Sequence, residues 1–132
     1  MIKLEEISRG MYISLGQEIS KEKLKFPKDK PSIKYYKVIR NDEFVGVRCG
    51  RILGVVIYSE QFIIHKDFKG QARYIISDII NTFLDDYKAY TAVWTKKIFD
   101  IMKGSFDIKT VSSRGNSESK RISINSKKKG GF

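Results

Sequence analysis

Residues 63 to 73 gather the side chains best suited to handling a charged ligand or a proton. Ile63-Ile64-His65-Lys66-Asp67-Phe68-Lys69-Gly70-Gln71-Ala72-Arg73 passes from an apolar run through a basic glycine turn into a helical pattern. A glycine turn that opens a helix presents backbone N–H groups and the positive end of the helix dipole, a ready seat for an anion. Lys66 and Lys69 add charge there, so a phosphate-bearing cofactor is the first ligand to consider. His65 is the single histidine; it is either a proton carrier, because imidazole titrates near neutral pH, or a hydrogen-bonded structural residue at a strand end. Glu60 is the best-placed carboxylate for a general base, or else an exposed turn residue. Tyr58 can donate a proton or simply pack. Cys49 is the single cysteine and reads as a small core residue, with no second histidine to activate it. One cysteine and one histidine cannot build a structural zinc site of the usual kind, so no metal is expected.

Such a seat needs rigid elements on both sides. Ile52–Tyr58 and Phe62-Ile63-Ile64 are apolar and β-rich. Ala72, Ile75, Ile76, Ile79, Ile80, Phe83, Leu84 and Tyr87 fall at helical spacing, and Ala89–Trp94 reads as a strand again. Strand, helix, strand is a βαβ unit, whose strands lie parallel. Upstream, Ile33–Arg40 and Phe44–Val47 form a hairpin around Asn41-Asp42. Cys49-Gly50-Arg51 marks a second turn or a bulge. Ile2–Ile7 fits a strand or a helix, and a short helix is expected within Gln17–Lys25. Pro27 and Pro31 make a loop between them. Downstream, Thr95 caps a short helix that Gly104 ends. Phe106–Val111 and Arg121–Asn125 alternate as strands and form an antiparallel hairpin across a polar turn, Ser112–Ser119.

The 132 residues suit one domain, and 41% apolar residues suffice for one core. We expect a domain over residues 1–126, with a core at 33–125 and a variable basic segment at 9–32. A basic, flexible tail follows at 127–132. The sequence holds no apolar run long enough to span a membrane and no signal-peptide block at its start. The lone cysteine fits a reducing compartment, so the expected location is cytoplasmic. The net charge is +11. Lys21, Lys23, Lys25, Lys28, Lys30, Lys34 and Lys37 crowd one segment, and Lys127-Lys128-Lys129 another. This excess is either a solvated surface or an attraction for a polyanion such as nucleic acid.

In its order of elements the chain resembles the GCN5-related N-acetyltransferase superfamily, the GNAT fold: a mixed α/β sheet with an antiparallel N-terminal hairpin, a central βαβ unit, a short second helix and a C-terminal hairpin. Phe44-Val45-Gly46-Val47, Arg51-Ile52-Leu53-Gly54 and the stretch Ile63–Tyr74 carry the likeness, which covers roughly residues 33 to 125. It implies transfer of an acetyl or other acyl group from coenzyme A to an amine acceptor. It places the acyl-CoA on Ile63, Ile64, His65, Lys69, Gly70, Gln71, Ala72 and Arg73, with Glu60, His65 and Tyr58 as catalytic candidates. Two positions depart from the pattern. Tyr74 stands where the family's phosphate loop carries glycine, and Asp100 or Ile101 stands where its second helix carries a tyrosine that protonates the leaving thiolate.

A second likeness is to small phage internal-virion proteins with an acetyltransferase-like fold. Val93-Trp94, Phe99, Gly104-Ser105 and Lys129-Gly130-Gly131 carry it. It implies an inactive structural or interaction protein with assembly partners, associated with a virion. A basic nucleic-acid-binding protein is the remaining alternative; Phe62, Phe68 and Tyr74 beside Lys66 and Lys69 would be its stacking platform.

Overall fold

The elements follow in the order β1 (Ile2–Ile7), α1 (Arg9–Ile19), β2 (Lys34–Arg40), β3 (Glu43–Leu53), β4 (Val56–Ile64), a 3₁₀ helix (Lys66–Gln71), α2 (Ala72–Asp86), β5 (Ala89–Trp94), α3 (Lys96–Met102), β6 (Ile108–Ser113) and β7 (Lys120–Asn125). The computed structural model describes residues 2–113 and 120–126. The remainder of the expected polar turn, 114–119, and the basic tail from Lys127 to Phe132 lie outside the described residues.

The strands form one mixed sheet in the order β1-β2-β3-β4-β5-β7-β6. β4 and β5 are parallel, as a βαβ unit requires, and the other pairings are antiparallel. β2 and β3 turn at Asn41 and Asp42, both at positive φ (51° and 65°), the conformation that a tight hairpin of the right twist demands.

Helices cover both faces. On one side α1 lays Tyr12 and Ile19 over Tyr35, Val47, Cys49 and Ile63. On the other, α2 sends Ile75 and Ile79 onto Val38 and Val45, and Ile76 and Ile80 onto Ile57, Tyr90, Ile122 and Ile124. α3 adds Met102 to that second side.

Several sequence expectations are corrected. The helix expected within Gln17–Lys25 lies at Arg9–Ile19 instead. Ser8 caps it, accepting from the Met11 amide at 3.1 Å, which offsets part of the cost of Gly10 and Gly16. Gly16 is where the helix presses on the sheet: a Cβ there would lie 3.0 Å from Ile63 Cδ1 and 3.1 Å from the Phe26 ring. Ile52–Tyr58 is not one strand. The chain reverses at Gly54, at φ 62°, so Leu53 pairs with Val56. Of the two readings of Cys49-Gly50-Arg51, a turn or a bulge, the second holds: β3 runs through it and its pairing with β4 shifts register between Cys49 and Gly50. The last hairpin is antiparallel as expected, with β7 between β5 and β6.

Candidate active site

Register along β4 creates a gap in the sheet. Against β3, Ser59 faces Gly50 and Gln61 faces Cys49, so Glu60 is an extra, bulged residue. Against β5, pairing runs from Val56–Ala89 to Ser59–Ala92 and ends. Past that point β4 continues to Ile64 paired with β3, while β5 continues to Trp94 paired with β7. The His65 amide donates to the Val45 carbonyl at 2.8 Å, and the Ile63 carbonyl crowds Gly46. Backbone groups alternate along a strand, so those of Phe62 and Ile64 face the other way, into the gap.

A groove follows this gap. Its inner part, about 210 Å³, is walled by Glu60, Phe62, Tyr90, Trp94 and Ile98. Its outer part, about 360 Å³, has Leu24 and Glu22 on one bank, Lys97, Ile98 and Ile101 on the other, and Lys69 and Ala72 at the α2 end. Gln61, Phe62, Ile64, Thr95 and Ile98 line both parts, so the groove is continuous. Its α1-side bank is tied down. Tyr12 Oη donates to Gln61 Oε1 at 2.8 Å, and Gln61 Nε2 donates to the Lys25 carbonyl at 2.8 Å. Lys66 Nζ reaches the Glu18 carbonyl at 3.5 Å. Burial holds the Tyr12 phenol well above the usual tyrosine range, with Cys49 adding to the effect, so it stays a donor. Burial likewise raises the Cys49 thiol, which leaves it an un-ionised core group.

The candidate residues separate. Glu60 lines the inner groove, with Arg51 Nε 3.1 Å from its carboxylate but off the line of a hydrogen bond. Tyr58 stacks beneath the Arg51 guanidinium, 5.5 Å from ring centre to Cζ, and is not a groove-lining residue. His65 lies outside the groove lining too. Its Nδ1 accepts from the Asp67 amide at 3.1 Å, capping the 3₁₀ helix, and its ring packs edge-on against Phe44 and Phe68. Ile63 packs in the α1-side core and also lines the outer groove, and Ile64 lines both parts. Gln71 accepts from Arg40 Nη1 at 3.3 Å, and Arg73 Nε donates to Ser105 Oγ at 3.2 Å.

The basic turn is more closed than a free loop. The Phe68 amide donates to the His65 carbonyl at 2.8 Å, and the Ala72 amide to the Lys69 carbonyl. Around Gly70 there is open space: a Cβ would meet nothing within 4 Å. Thr95, Lys97, Ile98 and Ile101 were not among the sequence candidates. One signal could have found Thr95: it directly follows β5, and ligands of parallel strands sit at their carboxyl ends.

No protein-family model and no curated protein matches the chain in sequence. Solved structures do match in shape. The ribosomal-protein-S18-alanine N-acetyltransferase of Escherichia coli aligns at TM-score 0.67 and 6% identity, over 99% of this chain and 97% of that one. An acetyltransferase from Thermus thermophilus aligns at 0.66 and 12%, over 95% and 97%. The Campylobacter jejuni N-acetyltransferase PseH, in complex with acetyl coenzyme A, aligns at 0.62 and 12%, over 95% and 99%. The chain has the GNAT fold. Its two departures from the GNAT pattern now have places. Tyr74 is 61% exposed and is not a lining residue of the groove. Asp100 accepts from Lys96 Nζ at 2.7 Å on the surface of α3, and that bond holds its carboxyl below the usual range, while Ile101 faces the groove. Among the described residues there is no cluster of metal ligands, and no helix is long and apolar enough to cross a membrane.

Proposed function

We propose that the protein transfers an acetyl or other acyl group from coenzyme A to an amine. The observation that carries this reading is the parting of β4 and β5 at the Glu60 bulge, which turns the Phe62 and Ile64 backbone toward a groove that ends at Lys69. A free strand edge suits the amides of an extended pantetheine arm, and Lys69 and Lys97 suit its phosphates. The uncrowded backbone at Gly70 leaves room for a close approach. The thioester supplies an activated acyl carbon: an N–C bond forms, the C–S bond breaks, and sulfur leaves as thiolate. In this reading Glu60, which lines the inner groove, accepts the ammonium proton, so that the amine attacks neutral. Trp94 and Ile98 give the inner groove apolar walls. Lysines on the 20–33 loop, beside the Leu24 bank, favour an acidic or nucleic-acid-bound acceptor.

A second reading is a scaffold that has kept the fold without the reaction, as in a virion component. It is favoured by α3, where Ile101 faces the groove and ionised Asp100 cannot give a proton to the leaving sulfur. Thermal unfolding with acetyl-CoA tests the binding claim. We expect a rise of several degrees at ligand well above its dissociation constant. No rise at millimolar acetyl-CoA sinks the proposal. A rise without thiol release, across amines that include peptide N-termini and acidic peptides, selects the scaffold.

A further inference from the structure

Among the described residues Arg48 is the most anomalous charge. It lies in the middle of β3, is 2% exposed, and its Nε and Nη2 have no hydrogen-bond partner among the described residues. A guanidinium does not shed its proton, so the charge stays. Its visible compensation is two aromatic faces: Phe83 at 4.6 Å and Tyr36 at 5.6 Å from Cζ. Rings stabilise the cation but accept neither N–H. Leaving buried donors empty is costly, and buried charges are ordinarily paired.

The surroundings are shaped to admit the group. Gly50 leaves room for the guanidinium, since a Cβ there would sit 2.6 Å from Arg48 Nη2. A cleft of about 20 Å³ opens beside it, lined by Lys34, Tyr36, Gly50, Ile57 and Phe83. The neighbouring Lys34 ammonium is 3.8 Å from Glu6 and the Arg51 guanidinium is turned to Glu60, so both nearby carboxylates have cations of their own. Nε–H and Nη2–H point along one edge of the guanidinium and converge on a single acceptor. The space is large enough for a body about the size of a water molecule.

We propose that this cleft binds one halide ion, chloride in practice, held in the Nε–Nη2 fork of Arg48 and clamping β3 to the C-terminal half of α2. The site faces the α2 side of the sheet and shares no lining residue with the active-site groove, so it stands whether or not the acyltransferase reading does.

The test compares thermal unfolding in sodium chloride and sodium gluconate at equal ionic strength, with Arg48→Met as control. The wild-type melting temperature should rise with the logarithm of chloride concentration above the dissociation constant, by about 5 °C at ten times that constant. Arg48→Met should lose that dependence, whatever its own melting temperature. Crystals soaked in bromide should show an anomalous peak in the fork, which keeps the question open to decision if the variant fails to fold. Equal melting temperatures in both salts, a chloride effect that survives in Arg48→Met, or ordered water in the fork of bromide-soaked crystals would each overturn the site.

Discussion

Two residues set sharp expectations at the smallest scale. Gly70 needs no special backbone angle and would meet no neighbour with a Cβ, so Gly70→Val should leave the melting temperature within about 2 °C. If a diphosphate seats there, the same change should weaken acetyl-CoA binding at least about tenfold by calorimetry, because branching blocks close approach of the ligand to the backbone. Tyr12 contributes to behaviour in alkali, alongside Tyr35, Tyr36 and Cys49, which burial also raises. The Tyr12 phenol titrates well above the usual tyrosine range in the fold, chiefly through burial. The folded state therefore holds this proton longer than the unfolded chain. The stability contribution is intact below about pH 10 and falls as the pH climbs beyond it. Tyr12→Phe should flatten that alkaline loss in denaturant titrations, at a neutral-pH cost of about 1–3 kcal/mol for stranding Gln61. The chemistry-bearing residues were legible as types, not as positions. Nothing in Ser59-Glu60-Gln61 announces a bulge, since the extra residue exists only relative to a partner strand. For His65 a proton carrier and a hydrogen-bonded structural residue both stay open in sequence, because sequence cannot show whether an imidazole nitrogen is filled by the next turn's amide.

Elements were read well where one stripe of side chains decides them. The α2 stripe survives intact because Ile75, Ile76, Ile79 and Ile80 all go to the core. Ile80 is fully buried against Ile57 and Tyr90's cluster, so Ile80→Ala should cost about 2–5 kcal/mol in urea unfolding. α1 was misplaced because its two glycines argue against a helix locally; packing against Ile63 and Phe26 overrules them. The Ile52–Tyr58 run was read as continuous because Gly54-Val55 lacks the polar residues that usually mark a hairpin. Four exposed residues in a row, Ile52 to Val55, carry the turn instead.

For the molecule as a whole, the parallel unit and its flanking hairpins were enough to indicate the architecture, whereas the acceptor was not written in any motif. The +11 charge acts at this scale. Lys21, Lys23, Lys25, Lys28 and Lys30 are exposed on the loop that leads from the groove bank. If an acidic acceptor is drawn there, its kcat/KM should fall several-fold between about 50 and 200 mM salt, while that for a small neutral amine stays flat. A salt-independent rate for both removes the loop from acceptor choice.

The sheet order carries a consequence for biosynthesis. The ribosome releases β6 before β7, yet β6 has β7 as its neighbour and β5 waits for the same strand. Until residues 120–125 emerge, the nascent chain carries the bare rim of β5 and an unanchored β6, with Tyr90 and Trp94 still lacking part of their cover. The final wedge closes the sheet from inside rather than extending its border, so ribosome stalling in this stretch would free a sticky, half-built protein for chaperones to hold.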